Sequence, residues 1–260
     1  MYAFEIERPT SIADAVKALA ADEAQPLGGG QTLIPTLKQR LAMPSVLISL
    51  AGINEMRGIC TDDTGRLCIG GSTRHDEVAA GAFAGLAGMA GKIGDPAVRN
   101  RGTLGGSLAN NDPSACYPAA ALGLGAMIVT DKREIAADDF FLGMFETALD
   151  EGEIITQVKF PVPSKSAYAK FEQPASRFAL VGVFVAQLVD GVRVAVTGAS
   201  ESGVFRWSEA EAALSGNFNV DAISGLSVAA DGMIGDLHGT PAYRAHLVGV
   251  MSRRAVAAAR

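Results

Sequence analysis

The order of patterned segments predicts an α+β protein. Residues 2–50 alternate strand-like and helix-like patterns. Two later pairs of apolar segments are joined by tight turns, at residues 62–65 and 190–191. Helical stretches near 208–214 and 241–259 close the chain.

Residues 2–6 read as a strand that Pro9 ends. Ser11 caps a helix striped by Ile12, Val16 and Leu19, with Asp14 three residues on as a weak capping box. A short strand ends at Leu27. After Gly28, Gly29 and Gly30 a helix is expected over 33–41, with Pro35 confined to its start. Pro44 introduces a buried strand at 46–50. Residues 56–60 and 66–69 form a hairpin, after which Ser72 or Thr73 caps the first of two small-residue helices, 74–80 and 83–92. Residues 94–113, rich in Gly, Asn and Asp, read as irregular. A helix at 118–124, a strand at 127–130, a turn at 131–132 and a strand at 153–160 follow. The Pro161-Val162-Pro163 break with its Ser-Lys-Ser sequel marks a domain boundary, giving domains 1–163 and 164–260. Beyond it, 178–189 and 192–197 pair as antiparallel strands.

Composition narrows the function. The 260 residues carry 22 basic and 28 acidic side chains, a net charge of −6, which argues against nucleic acid as a partner. At 48% hydrophobic and 19% charged, the chain is a folding one. Its apolar stretches fall short of the roughly 18 residues that span a bilayer. The start MYAFEIERPT has no apolar h-region, so no signal peptide is expected and the cytoplasm is the expected compartment. Three cysteines, Cys60, Cys68 and Cys116, without a CxxC, cannot supply a zinc or iron–sulfur site. His75, His238 and His246 lack ligand spacing and are expected in packing or surface roles. No catalytic residue and no metal ligand is assigned.

Glycine is the excess, 30 of 260. The triple glycine after a strand fits neither the Rossmann fingerprint nor the Walker loop, because Leu33 stands at the third position and no G-K-[ST] follows. Consecutive glycines can nonetheless bring backbone N–H groups onto an anion, with Gln31 and Thr32 adding donors. Taken alone, the loop is either that or a plain tight turn. A second glycine–hydroxyl loop, Thr103-Leu104-Gly105-Gly106-Ser107, lies in the irregular stretch, and long irregular runs in compact domains are commonly functional. Two such loops could hold the two phosphates of a dinucleotide, with Arg99 and Arg101 flanking.

Residues 27–41 (LGGGQTLIPTLKQRL), 93–118 (IGDPAVRNRGTLGGSLANNDPSACYP) and 236–255 (DLHGTPAYRAHLVGVMSRRA) resemble the FAD-binding medium subunit of molybdenum hydroxylases, the carbon monoxide dehydrogenase and xanthine dehydrogenase family. The resemblance runs in order over nearly the whole chain. It implies a two-subdomain FAD-binding domain of the vanillyl-alcohol-oxidase type, with a small parallel-strand subdomain, a larger mixed sheet and FAD between them. It also implies a C-terminal three-stranded antiparallel sheet with helices on one face.

By the same resemblance, Leu27, Gly28, Gly29, Gly30, Gln31, Thr32 and Leu33 form one pyrophosphate loop, and Thr103, Gly105, Gly106 and Ser107 the other. Ile93 and Gly94 line the cofactor with Asn110 and Asp112 nearby; Ile155 is an apolar flavin contact, and Lys170 a lysine near the flavin. Cys116 stands where many relatives carry an acidic residue, and Arg177 where Asp is frequent. The implied activity is that of an electron-transfer subunit of an oxidoreductase complex. A large subunit holds molybdopterin, and a small subunit with two [2Fe–2S] clusters passes electrons through FAD to an external acceptor, in a dimer of heterotrimers. Two other readings compete: a stand-alone FAD-dependent oxidoreductase of the same fold, for which the 164–260 region is short, and an assembly protein without flavin, against which both intact loops speak. The substrate, chosen in the large subunit, is not legible here.

Overall fold

A computed structural model describes residues 1–260. The chain opens with β1 (Glu5–Glu7), α1 (Ile12–Leu19), β2 (Ala24–Leu27), α2 (Leu33–Lys38) and β3 (Val46–Ser49). The three strands form a parallel sheet ordered β1-β3-β2. Ser11 caps α1 as expected, its hydroxyl accepting from the Asp14 N–H at 3.1 Å. Ala15 and Leu19 of α1 are buried against Val46 and Ile48 of β3. Pro35 falls in the first turn of α2, where its missing N–H costs nothing.

The second unit contains β4 (Ile59–Thr61), β5 (Leu67–Gly70), α3 (His75–Gly81), α4 (Ala84–Ala90), α5 (Pro96–Arg99), α6 (Leu104–Asn110) and α7 (Tyr117–Leu124). After these come β6 (Met127–Thr130), β7 (Glu134–Ala136), α8 (Ala137–Phe140), β8 (Phe141–Gly143), β9 (Glu146–Thr147) and β10 (Ile155–Phe160). Its sheet, ordered β4-β5-β10-β6-β7, is antiparallel throughout, not mixed as expected. The stretch expected to be irregular holds two short helices. Asp95 caps α5 by accepting from the Val98 N–H at 2.9 Å, and Thr103 caps α6. Leu104 and Leu108 anchor α6 in the core, so packing outweighs the poor helix propensity of Gly105 and Gly106. The cap of α3 is Arg74, not Ser72 or Thr73; its N–H donates to the Glu77 carboxylate at 2.8 Å.

The C-terminal sheet has four strands, not three: β11 (Lys165–Glu172), β12 (Ala179–Leu188), β13 (Gly191–Ser200) and β14 (Gly203–Arg206), all antiparallel. Helices α9 (Ser208–Gly216) and α10 (Pro241–Ala258) cover one face. The other face, with Tyr168, Phe184, Ala186 and Ala195, joins the core of the second unit against α7, every residue of which is buried. Helices therefore lie on both faces rather than one. Burial from both sides explains why 178–189 reads as an uninterrupted apolar run. Arg244 of α10 is itself buried, its guanidinium donating to the Leu180 and Gly198 carbonyls at 2.7 and 2.6 Å and to Asp236. No helix is long and apolar enough to cross a membrane.

Candidate functional site

A cleft of about 770 Å³ opens between the parallel sheet and the second unit, and β11 with the turn after it closes one end. That size suits a cofactor pocket. Every site residue expected from the sequence borders it: the run from Leu27 to Leu33, Ile93, Gly94, Thr103, Gly105, Gly106, Ser107, Asn110, Asp112, Ile155 and Lys170.

The two glycine loops touch. A Cβ on Gly29 would lie 2.0 Å from the Arg101 carbonyl oxygen and 2.6 Å from the Gly102 Cα, and one on Gly28 would lie 2.9 Å from Thr103 Oγ1. Gly105 in turn abuts Gly71, whose carbonyl accepts its N–H at 2.8 Å. At these positions glycine lets backbone pass close to backbone, so the close approach that demands it lies within the protein. Gly30, with φ +72°, adds a left-handed turn leading into α2.

The loops differ in what they can offer. In the second, the Leu104 and Gly105 N–H groups donate to Thr73 and Gly71, Gly106 to Thr103 Oγ1, and Ser107 to the Thr103 carbonyl. In the first, none of the N–H groups from Gly28 to Thr32 donates to another backbone group, and the Thr32 hydroxyl makes no capping bond. These five consecutive amides have no protein partner and are available to an anion.

Further lining residues escaped the sequence reading. His75 is buried; burial holds its imidazole down to about 4, so it is neutral at pH 7. Its ring centroid lies 5.2 Å from that of Tyr117, its Nδ1 has no partner, and a side chain at Gly102 would strike its Nε2. Glu153 also borders the cleft. Hydrogen bonds from Arg133 Nε and Nη2 at 3.1 and 2.9 Å, aided by the Asp150 N–H and Thr130 Oγ1, hold its carboxyl at about 2 against the opposing effect of burial. It is a structural anion with its lone pairs taken, not a base for chemistry. Nothing local in the sequence distinguished either residue.

At the β11 end, Lys170 Nζ donates to the carbonyls of Lys92 at 2.6 Å and Arg177 at 2.8 Å, and lies 3.9 Å from Cys116 Sγ. Ser176 and Arg177 both have positive φ, +58° and +61°, which turns the Arg177 carbonyl back to the lysine. Directly after Lys92 in the chain, the Ile93 and Gly94 carbonyls accept from Arg99 Nη1 at 3.0 and 3.2 Å, which fixes that turn.

Residues 2–163 match the family model described as the FAD binding domain in molybdopterin dehydrogenase. The chain is 31% identical to the carbon monoxide dehydrogenase medium chain of Hydrogenophaga pseudoflava, over 98% of this chain and 96% of that one. The chain belongs to the FAD-binding medium subunits of the molybdenum hydroxylases. It is 34% identical to the nicotine 6-hydroxylase medium subunit of Paenarthrobacter nicotinovorans, over 95% of this chain and 94% of that one. Among solved structures, the carbon monoxide dehydrogenase from Hydrogenophaga pseudoflava superimposes with a TM-score of 0.88 at 32% identity, covering 98% of this chain and 96% of that chain. Quinoline 2-oxidoreductase from Pseudomonas putida 86 gives 0.87 at 27% identity, again over 98% and 96%. As a family member the chain is an oxidoreductase subunit that carries FAD and transfers electrons.

Proposed function

We propose that the cleft holds FAD with its pyrophosphate on the free amides of Gly28 to Thr32. The residues fit the group: the amides are donors without protein partners, and a Cβ at Gly29 would force the two loops apart. Thr103 and Ser107 add hydroxyls, and Asn110 and Asp112 extend the wall. Ile93 and Ile155 supply apolar surface, and Lys170 a cation, for the ring system. FAD supplies the redox chemistry when bound; the protein's task is to hold it, exclude water and set its electrostatic surroundings. His75 and Glu153, one neutral and the other fully bonded, do not supply a proton-transfer pair at neutral pH.

In this reading electrons arrive from the [2Fe–2S] clusters of a small subunit and leave to an external acceptor. A large subunit bears the molybdopterin cofactor, in a cytoplasmic dimer of heterotrimers. The boundary between 1–163 and 164–260 separates the FAD-binding domain from the C-terminal sheet; the family match ending at residue 163 supports it. The row of free amides in the first loop carries the proposal. Purified chain is expected to absorb at about 450 nm, the oxidised flavin band, with one FAD per chain, and to co-purify with a large and a small subunit when the three are co-expressed. A chain that stays colourless and refuses added FAD refutes the reading.

A further inference from the structure

Lys170 is an ammonium on the cleft wall whose contacts are all neutral: two backbone carbonyls and the Cys116 thiol. The thiol is buried, and the half-buried ammonium meets it at the cleft wall. Cys116 is 5% exposed, and the buried Tyr168 hydroxyl packs against its thiol. Burial pushes the Cys116 thiol above its ordinary value, although Lys170 pulls it down, so it stays protonated at neutral pH. Glu172 and Lys92, the other charged residues near this thiol, have opposite signs. The backbone is shaped to keep the lysine in place, because the Arg177 carbonyl reaches Nζ through two successive left-handed residues. A charge fixed by neutral groups acts on whatever lies across the cleft, undiminished by a counter-ion.

We propose that Cys116 is a positioning residue that holds the Lys170 ammonium without neutralising it, so that the uncompensated cation raises the reduction potential of the bound flavin. The inference rests on FAD occupying this cleft. Reduction adds negative charge to the ring system, and a nearby cation favours the reduced form over the oxidised one. A carboxylate in place of the thiol pairs with Lys170 and cancels the effect.

The test is the two-electron midpoint potential of the FAD-loaded full chain, measured by dye-linked reductive titration, for Cys116→Asp, Cys116→Asn, Lys170→Met and Lys170→Arg. Cys116→Asp and Lys170→Met are each expected to disfavour the reduced flavin about tenfold, about 30 mV downward for a two-electron couple. Cys116→Asn, matched in size but neutral, and Lys170→Arg are expected to stay near the wild-type value. A double variant of Cys116→Asp with Lys170→Met is expected to fall less than the sum of the two. If Lys170→Met does not retain FAD, the Asp and Asn pair at position 116 decides. An unchanged potential in Cys116→Asp, or an equal fall in Cys116→Asn, overturns the inference while leaving FAD binding intact. A wild-type chain that never loads FAD overturns the reading beneath it.

Discussion

Replacing Gly29 with Ala inserts one methyl group into the seam between the two glycine loops. The added Cβ would sit 2.0 Å from the Arg101 carbonyl oxygen, where ordinary contact begins at 3.4 Å, and 2.6 Å from the Gly102 Cα. These are backbone atoms, and no side chain can rotate away. The loops must part by more than 1 Å, at a cost of about 1–3 kcal/mol in stability. Displacing the first loop misaligns amides that would meet the pyrophosphate. A hydrogen bond to a charged group contributes about 1.5–3 kcal/mol, so losing one weakens FAD binding by roughly ten- to a hundredfold. Titration of deflavinated chain with FAD, followed by flavin fluorescence, reads the affinity, and thermal melting of the same apo sample reads the stability. A suitable control is Gly88→Ala, in the exposed middle of α4 with nothing within 4 Å of the new Cβ; it is expected to stabilise by about 0.5–1 kcal/mol without changing affinity. Gly29→Ala binding FAD within twofold of wild type would refute the assignment of the first loop.

Acid is expected to unfold the protein in two windows. His75 is held neutral at about 4 from an ordinary 6.5, so its contribution is complete above pH 6.5 and lost as pH falls to about 4; by linkage it reaches about 3 kcal/mol. His75→Phe, which keeps a ring beside Tyr117, should flatten urea-derived stability across that window. Glu153, held at about 2 from an ordinary 4.5, contributes fully above pH 4.5 and loses its contribution towards pH 2. After discounting for the half-exposed Arg133, about 2 kcal/mol is expected, and an unchanged acid limb in Glu153→Gln would contradict it. Asn111 ends α6 at φ +40°, and its side-chain amide donates to the Gly143 and Glu146 carbonyls at 2.7 and 2.9 Å. Asn111→Ala is expected to cost about 3 kcal/mol in a denaturant melt, from two lost bonds and a strained backbone.

The glycine loops were visible because closely spaced glycine and hydroxyl residues are costly unless backbone must pass close to something. Their partner was not visible: only the fold shows that Gly29 faces Arg101 and Gly105 faces Gly71. Family resemblance placed Ile155 and Lys170 at the cleft, positions that no local pattern singled out. Helix α6 was hidden because two glycines oppose helix formation locally, and burial of Leu104 and Leu108 overrides them. Strand β11 was not singled out because it begins with Lys165 and Ser166 directly after a proline break, which marks only a boundary. Its pairing along β12 from Lys165 opposite Gln187 to Glu172 opposite Ala179 comes from tertiary contact. Which amides are free is likewise a property of the folded chain, since the second loop looks equally generous in sequence.

Amide chemical shifts report the central claim most directly. On adding FAD to ¹⁵N-labelled apo chain, the largest amide-proton shifts among the loop residues are expected at Gly28 to Thr32, whose N–H groups have no backbone partner. Smaller shifts are expected at Leu104 to Ser107, which are already bonded within the protein. FAD binding that leaves Gly28 to Thr32 unmoved would contradict the account.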